Sequence, residues 1–201
     1  MNSLLPLVIA TAILVMIPGP NVALIVANSL RYGFRMGVHT VLGTTVGVGL
    51  QLALVVLGLA AIIEVAAEAL LWIKWAGVAY LVYLGIRTWR EPADDLGEIE
   101  AARAMFGRGC VIAMLNPKTL LFNAAFIPQF VGAADATVAG LGVVAAVFLA
   151  VLLVGDVLWA AFASSAGRYL ARYAKIRNRL TGAFLTVAGI GLALSLSLIH
   201  I

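Results

Sequence analysis

Ile17-Pro18-Gly19-Pro20-Asn21 stands in the middle of an apolar run from about Leu4 to Asn28. Proline lacks the N–H an α-helix needs, and its ring clashes with the carbonyl four residues back, so a helix must break or kink here. In hydrocarbon, each carbonyl freed by such a break costs several kcal/mol unless protein or a water-filled cavity satisfies it. A break at membrane depth therefore requires polar company. Discontinuous helices with exposed ends are a common way to build a transporter's substrate site.

Composition places the break in a membrane. Of the 201 residues, 64% are hydrophobic and 11% charged, against roughly 25% charged in a soluble domain. Several apolar runs reach about 18 residues, enough to cross a bilayer. The net charge is +4, but the basic residues sit in short loops between spans, which argues against nucleic-acid binding. The single cysteine, Cys110, excludes an internal disulfide and any cysteine-pair redox or zinc motif; it reads as a small apolar residue at a helix start. Met1-Asn2-Ser3 carries no positive charge and the run after it is too long for a cleaved signal peptide, so the first span is expected to stay in the mature chain.

The apolar runs predict an all-α membrane protein with six spans, at about Leu4–Asn28, Val38–Ile63, Leu70–Ile86, Val111–Val131, Val138–Ala163 and Leu180–Ile199. Nothing suggests a second domain. Arg31 and Arg35 follow span one; Arg87, Arg90, Arg103 and Arg108 follow span three; Arg168, Arg172, Lys175, Arg177 and Arg179 follow span five. Eleven of the 13 basic residues thus lie on one side, and the positive-inside bias puts that side in the cytoplasm and both termini outside. Two halves of three spans run in opposite senses. Span one, which opens the first half, carries Pro-Gly-Pro-Asn, and span four, which opens the second, carries Asn116-Pro117-Lys118. Broken helices at corresponding places predict an inverted repeat, about 4–87 and 111–201, joined by a cytoplasmic loop over 88–110.

The loops carry lesser signals. Leu96, Ile99, Ala102 and Phe106 recur at helical spacing after Asp95, an N-cap with Glu98 three residues on, which predicts a short helix on the membrane surface. Arg168, Arg172, Lys175 and Arg179 share one helical face suited to anionic lipid headgroups. Gly33–Gly37 and Gly43–Gly47 have the spacing that lets helices approach closely; intrachain packing is the expected use, and a homodimer face the alternative. The closing Leu196-Ser197-Leu198-Ile199-His200-Ile201 matches the in-frame translation of a common transposon sequencing adapter, so His200 is given no functional weight.

Charge inside a span costs about 2.5–3.5 kcal/mol at the helix centre and usually faces a partner or a cavity. Lys74, beside Trp72 and Trp75 near the outer end of span three, can snorkel to the interface. Lys118 and Asp156 cannot. Counted at 1.5 Å per residue, both lie roughly 10 Å inside the cytoplasmic boundary, and equal depth with opposite charge predicts a Lys118–Asp156 pair, direct or through water. That pair either neutralises itself to fix packing or belongs to a polar cavity in which one carboxylate takes a proton. Asn21 falls at similar depth, Asn116 slightly nearer the cytoplasm, Asn123 and Gln51 closer to the midplane. Helix N-termini favour a carboxylate, helix C-termini and freed carbonyls an ammonium; a zwitterionic amino acid offers one of each.

Pro18-Gly19-Pro20-Asn21, the segment Arg31-Tyr32-Gly33-Phe34-Arg35-Met36-Gly37 and the run from Lys74-Trp75 to Gly85-Ile86-Arg87 resemble the LysE/RhtB family of amino-acid exporters. So do Phe106, Asn116-Pro117-Lys118, Phe122, Pro128-Gln129-Phe130-Val131 and Gly155-Asp156 with Trp159. The resemblance covers nearly the whole chain. It implies a six-helix carrier of the bacterial inner membrane that exports amino acids on the proton gradient, with Pro18, Gly19, Pro20, Asn21, Asn116, Pro117, Lys118 and Asp156 at functional positions. Gln51 departs from it, standing where many relatives carry an ionisable residue.

The resulting expectation is a secondary transporter exporting a small neutral amino acid, such as homoserine, threonine or a related metabolite, by proton antiport. The alternative is export of basic amino acids or of a cation by a related carrier. Pro18, Gly19, Pro20, Asn21, Asn116, Pro117, Lys118 and Asn123 are expected to bind substrate, Asp156 to couple protons, and Gln51 to add polar lining. No cofactor or metal is expected. An intramembrane enzyme would need a nucleophile with its base, or a metal cluster; His39 is the only internal histidine. A cation channel would need rings of carboxylates, and only Asp156 is deep.

Overall fold

The chain breaks where its prolines dictate. In the computed structural model, which describes residues 4–56, 75, 78–80, 82–86, 98–125, 127–130, 138–169, 179, 181–188 and 190–191, helix α1 (Leu4–Met16) ends before Pro18, and α2 (Pro20–Tyr32) restarts with Pro20 as its first residue. The pair passes as one span bent by 58°. Proline suits a helix's first position because that N–H has no intrahelical partner. Along α1, Leu7, Thr11 and Val15 are buried while Leu5, Ile9 and Ile13 face outward, an inner face and a lipid face at helical spacing. From Pro20 to Ser29, α2 is buried on every side. It is the central element.

Gly33 turns α2 into α3 (Phe34–Val56) with φ +86°, a backbone region L side chains rarely adopt, and its N–H closes α2 on Ser29 O at 3.0 Å. Helix α4 (Glu98–Met114) packs along α3 more extensively than any other pair among the described elements. Glycine makes this possible. A Cβ on Gly43 would collide with the Phe106 backbone, one on Gly47 with that of Cys110, and one on Gly109 with Thr40 O. The Gly43–Gly47 stripe is thus used inside the chain. The expected surface helix proves to be the first part of α4, which continues to Met114.

The chain breaks again at Leu115-Asn116, resumes as α5 (Pro117–Ala125) and ends in a 3₁₀ turn at Ile127–Phe130. The long α6 (Val138–Tyr169) then runs beside α2, Gly167 resting on the Leu30 backbone. Two described helices, α3 and α6, are individually long and apolar enough to span a membrane, the broken α1–α2 pair adding a third. Residues 82–86 and 181–188 are helical and meet through Gly85 against Thr186 and Gly182. Apart from 75, 78–80 and 190–191, the rest of spans three and six, with Lys74, Asp95, Arg172, Lys175 and 196–201, lies outside the described residues.

Candidate substrate cavity

The two interruptions meet. Leu14, Val15, Gly19, Asn21 and Val22 from the first, Asn116, Lys118 and Thr119 from the second, and Leu152 and Asp156 from α6 line one cavity. Its volume is about 20 Å³, room for about one water molecule.

Each break exposes backbone carbonyls, and each set is capped from elsewhere. The Lys118 ammonium donates to the carbonyls of Leu14 and Ile17, at the frayed end of α1. Trp159 Nε1 donates to Val15 O at 3.1 Å. At the second break, Gln51 Nε2 donates to Met114 O at 2.9 Å and Asn116 O at 3.2 Å. Gln51 Oε1 accepts from Thr119 Oγ1 at 2.9 Å and from Asn123 Nδ2 at 3.4 Å. Asn116 is the N-cap of α5, its Oδ1 accepting from Lys118 N at 3.0 Å with Pro117 at the first helical position. Side chains on α3, α5 and α6 thus supply what the broken ladders lost.

The Lys118–Asp156 expectation is modified accordingly. The two share the cavity and act on each other electrostatically, but the ammonium's hydrogen bonds go to backbone carbonyls. Asp156 is 4% exposed, and its carboxyl is in hydrogen-bond contact with the Thr44 hydroxyl. Across from it, α2 begins without a side-chain cap, so the N–H groups of Asn21 and Val22 have no partner within the helix. Asn21 Oδ1 is buried without a hydrogen-bond partner. One small space therefore holds an ammonium, a carboxylate, a helix N-terminus and an open amide acceptor, a donor-and-acceptor set matched to a zwitterion.

Among the expected site residues, Gly19, Asn21, Asn116, Lys118 and Asp156 line the cavity. Pro20 and Pro117 are buried at the starts of their helices, whereas Pro18 is exposed on the bend. Gln51 and Asn123 form the adjoining network that caps the second break. Sequence reasoning missed Thr44, Thr119 and the role of Trp159. Thr44 lies seven residues from Gln51 on one helical face, and Thr119 directly follows Lys118; both spacings were visible.

These features define a helical membrane protein whose polar centre is built from two interrupted helices, the architecture of a small-solute carrier. The chain belongs to the LysE type translocator family, whose model matches residues 12–196. It is 32% identical over 178 residues to an uncharacterized membrane protein of Vibrio cholerae, covering 83% of each chain. It is 31% identical over 127 residues to a homoserine/homoserine lactone efflux protein of Salmonella typhimurium, covering 61% of this chain and 62% of that protein. A leucine efflux protein of Enterobacter sp. (strain 638) is 24% identical over 178 residues, covering 86% and 83%. No solved structure matches.

Proposed function

We propose that the chain is a secondary transporter of the bacterial inner membrane that exports a small neutral amino acid, such as homoserine, threonine or a related metabolite, in exchange for protons. In this reading the fold is a six-span inverted repeat with both termini outside. The observation that carries it is the Lys118 ammonium on the Leu14 and Ile17 carbonyls, which ties the two interruptions together beside Asp156. The efflux activities named for the relatives support an amino-acid cargo.

The roles follow from charge. The substrate carboxylate goes to the Asn21 and Val22 N–H groups at the α2 N-terminus and to Lys118. The ammonium goes to Asp156 and Asn21 Oδ1, and the proton exchanged for substrate binds Asp156. Each proton moving inward down 100 mV supplies about 2.3 kcal/mol, enough to drive accumulation. A cavity of about 20 Å³ is closed to any amino acid, so loading requires a conformational opening. A fixed ammonium beside the site disfavours a basic side chain, which weighs against the cationic alternative.

The test is an export and resistance screen across amino acids and toxic analogues, followed by flux measurements in proteoliposomes. Asp156→Asn is expected to abolish proton-driven flux of the amino acid so identified. Persistence of that flux, with its pH-gradient dependence unchanged, overturns the proton role.

A further inference from the structure

A second, larger hollow opens at the α2–α3 turn. Gly33, Phe34, Ala161, Ser164, Ser165 and Arg168 line a groove of about 360 Å³. Three helices connect it to the buried cavity; α2 and α6 carry a polar, an apolar and a polar residue at a spacing of four, and α3 a polar residue, an apolar one and a glycine. Asn21 and Asp156 line the cavity and Thr44 contacts Asp156. One turn on stand Ile25, Val41 and Ala160, all 0% exposed and packed into one cluster. One further turn on stand Ser29, Gly37 and Ser164. There a Cβ on Gly37 would collide with Ser29 Oγ and lie 3.2 Å from Ala160 Cβ, and Ser164 opens into the groove.

The seam is polar at the cavity, apolar in the middle and bears two serines beside Gly37 at its outer end, about 12 Å from Asp156 to Ser164 at 1.5 Å per residue. Packing alone does not require buried polar groups on both sides of the apolar layer. Ser29 Oγ is buried without a partner, a state that carries a desolvation cost. Beside the apolar layer, Asn28 Nδ2 donates to Thr40 Oγ1 at 2.9 Å, and Thr40 lies one turn from Thr44, so hydrogen-bonding groups continue past it. In the opposite direction the cavity is sealed far more thickly, by a cluster that includes Leu7, Val48, Leu52, Phe148 and Leu152, with Phe122 stacked on Phe148 at 5.3 Å.

We propose that the seam between α2, α3 and α6 is the substrate route from the Arg168 end to the Asp156 cavity, closed in this structure by the layer Ile25–Val41–Ala160 and by Leu153, Val157 and Trp159 packed against it. This rests on the carrier reading. The groove is where an amino acid first lodges, its carboxylate on Arg168, and the layer must part or wet before the substrate reaches Asn21 and Asp156. Small residues at Gly37 and Ala160 keep the three helices close enough to seal it.

The test is thiol labelling in membrane vesicles of both orientations, in a Cys110→Ala background, with a charged methanethiosulfonate reagent and no amino acid. Ser164→Cys is expected to label rapidly from the Arg168 side, and Asn21→Cys at least 10-fold more slowly. Adding Val41→Ser, or Ile25→Thr as the milder change, is expected to raise Asn21→Cys labelling at least 10-fold from that side only. Gel filtration of each variant checks its fold. The proposal is overturned if Ser164→Cys labels only from the opposite side. It is overturned equally if both layer variants, folded, leave Asn21→Cys within twofold of its starting rate or open it from the opposite side. Failure of the export screen alongside the expected labelling would instead refute the amino-acid cargo and leave the route standing.

Discussion

Lys118→Met separates two accounts of what the buried lysine does. In the structure its ammonium donates to the Leu14 and Ile17 carbonyls, and methionine retains most of the apolar stem while deleting both bonds. Interhelical hydrogen bonds within membranes average about 0.6 kcal/mol and reach about 1.7, so losing two costs about 1–3 kcal/mol at the first break. A cavity of about 20 Å³ admits about one replacement water, which limits the relief solvent can offer. Local opening of the α1–α2 junction is therefore expected to rise roughly 5- to 150-fold. The amides that report it are Ile17 N–H, bonded to Ile13 O at 3.3 Å, and Ala23 N–H, bonded to Gly19 O at 2.8 Å. Hydrogen exchange by mass spectrometry on nanodisc-embedded protein reads them directly. If Lys118 served chiefly to neutralise Asp156, adding Asp156→Asn would restore protection; carbonyl capping requires that it stay lost. Restored protection in the double variant, or unchanged exchange over residues 17–23 in the single one, refutes the capping argument.

Other expected outcomes concern the second break and the helix contacts. Gln51→Leu strips the cap from Met114 O and the acceptor from Asn123 Nδ2, while Asn116 O keeps Leu120 N–H and the Thr119 hydroxyl; thermal unfolding in detergent should show a loss of about 1–3 kcal/mol, as for buried groups left unsatisfied. Asn116→Ala removes the N-cap of α5 and should cost about 0.5–2 kcal/mol in the same assay. Gly43→Ala drives a methyl into the Phe106 backbone and should destabilise by about 1–3 kcal/mol as overpacking does. Gly107→Ala, inside α4 and with nothing within 4 Å of the new methyl, should leave stability unchanged or raise it by about 0.5–1 kcal/mol.

Both interruptions were legible because proline and glycine act through the backbone, whatever surrounds them. That Asn21, Asn116, Lys118 and Asp156 share a cavity was legible too, from depth counted along each span. What Lys118 touches was not. Backbone carbonyls carry no residue-type signature, so charge bookkeeping paired the lysine with Asp156, the only deep carboxylate, and overlooked acceptors that the first break itself had created. The continuity of α4 was hidden for a related reason. The sequence set a short helix ending near Phe106 apart from a span starting at Val111, and the packing that joins them into one helix, with Gly109 against Thr40 O of α3, is a tertiary contact. Trp159 was noticed as part of a motif, but its bond to Val15 O depends on the angle at which α6 crosses the bend.

The crossed capping has a consequence for how such a site works. The lysine that satisfies the first break belongs to the helix restarting after the second, and that helix is in turn held by Gln51 through Asn116 and Thr119. Moving α5 away from α1 must break the lysine's bonds, so neither interrupted helix can open alone. On the carrier reading a zwitterion is the ligand able to compensate, since its carboxylate receives the released lysine while its ammonium is held by Asp156 and Asn21 Oδ1. Two bonds worth about 1–3 kcal/mol together lie within what one well-placed ligand can offset. The same pair of contacts would then select the substrate and hold the gate, which is why their loss should raise opening at residues 17–23 and uncouple flux from binding together.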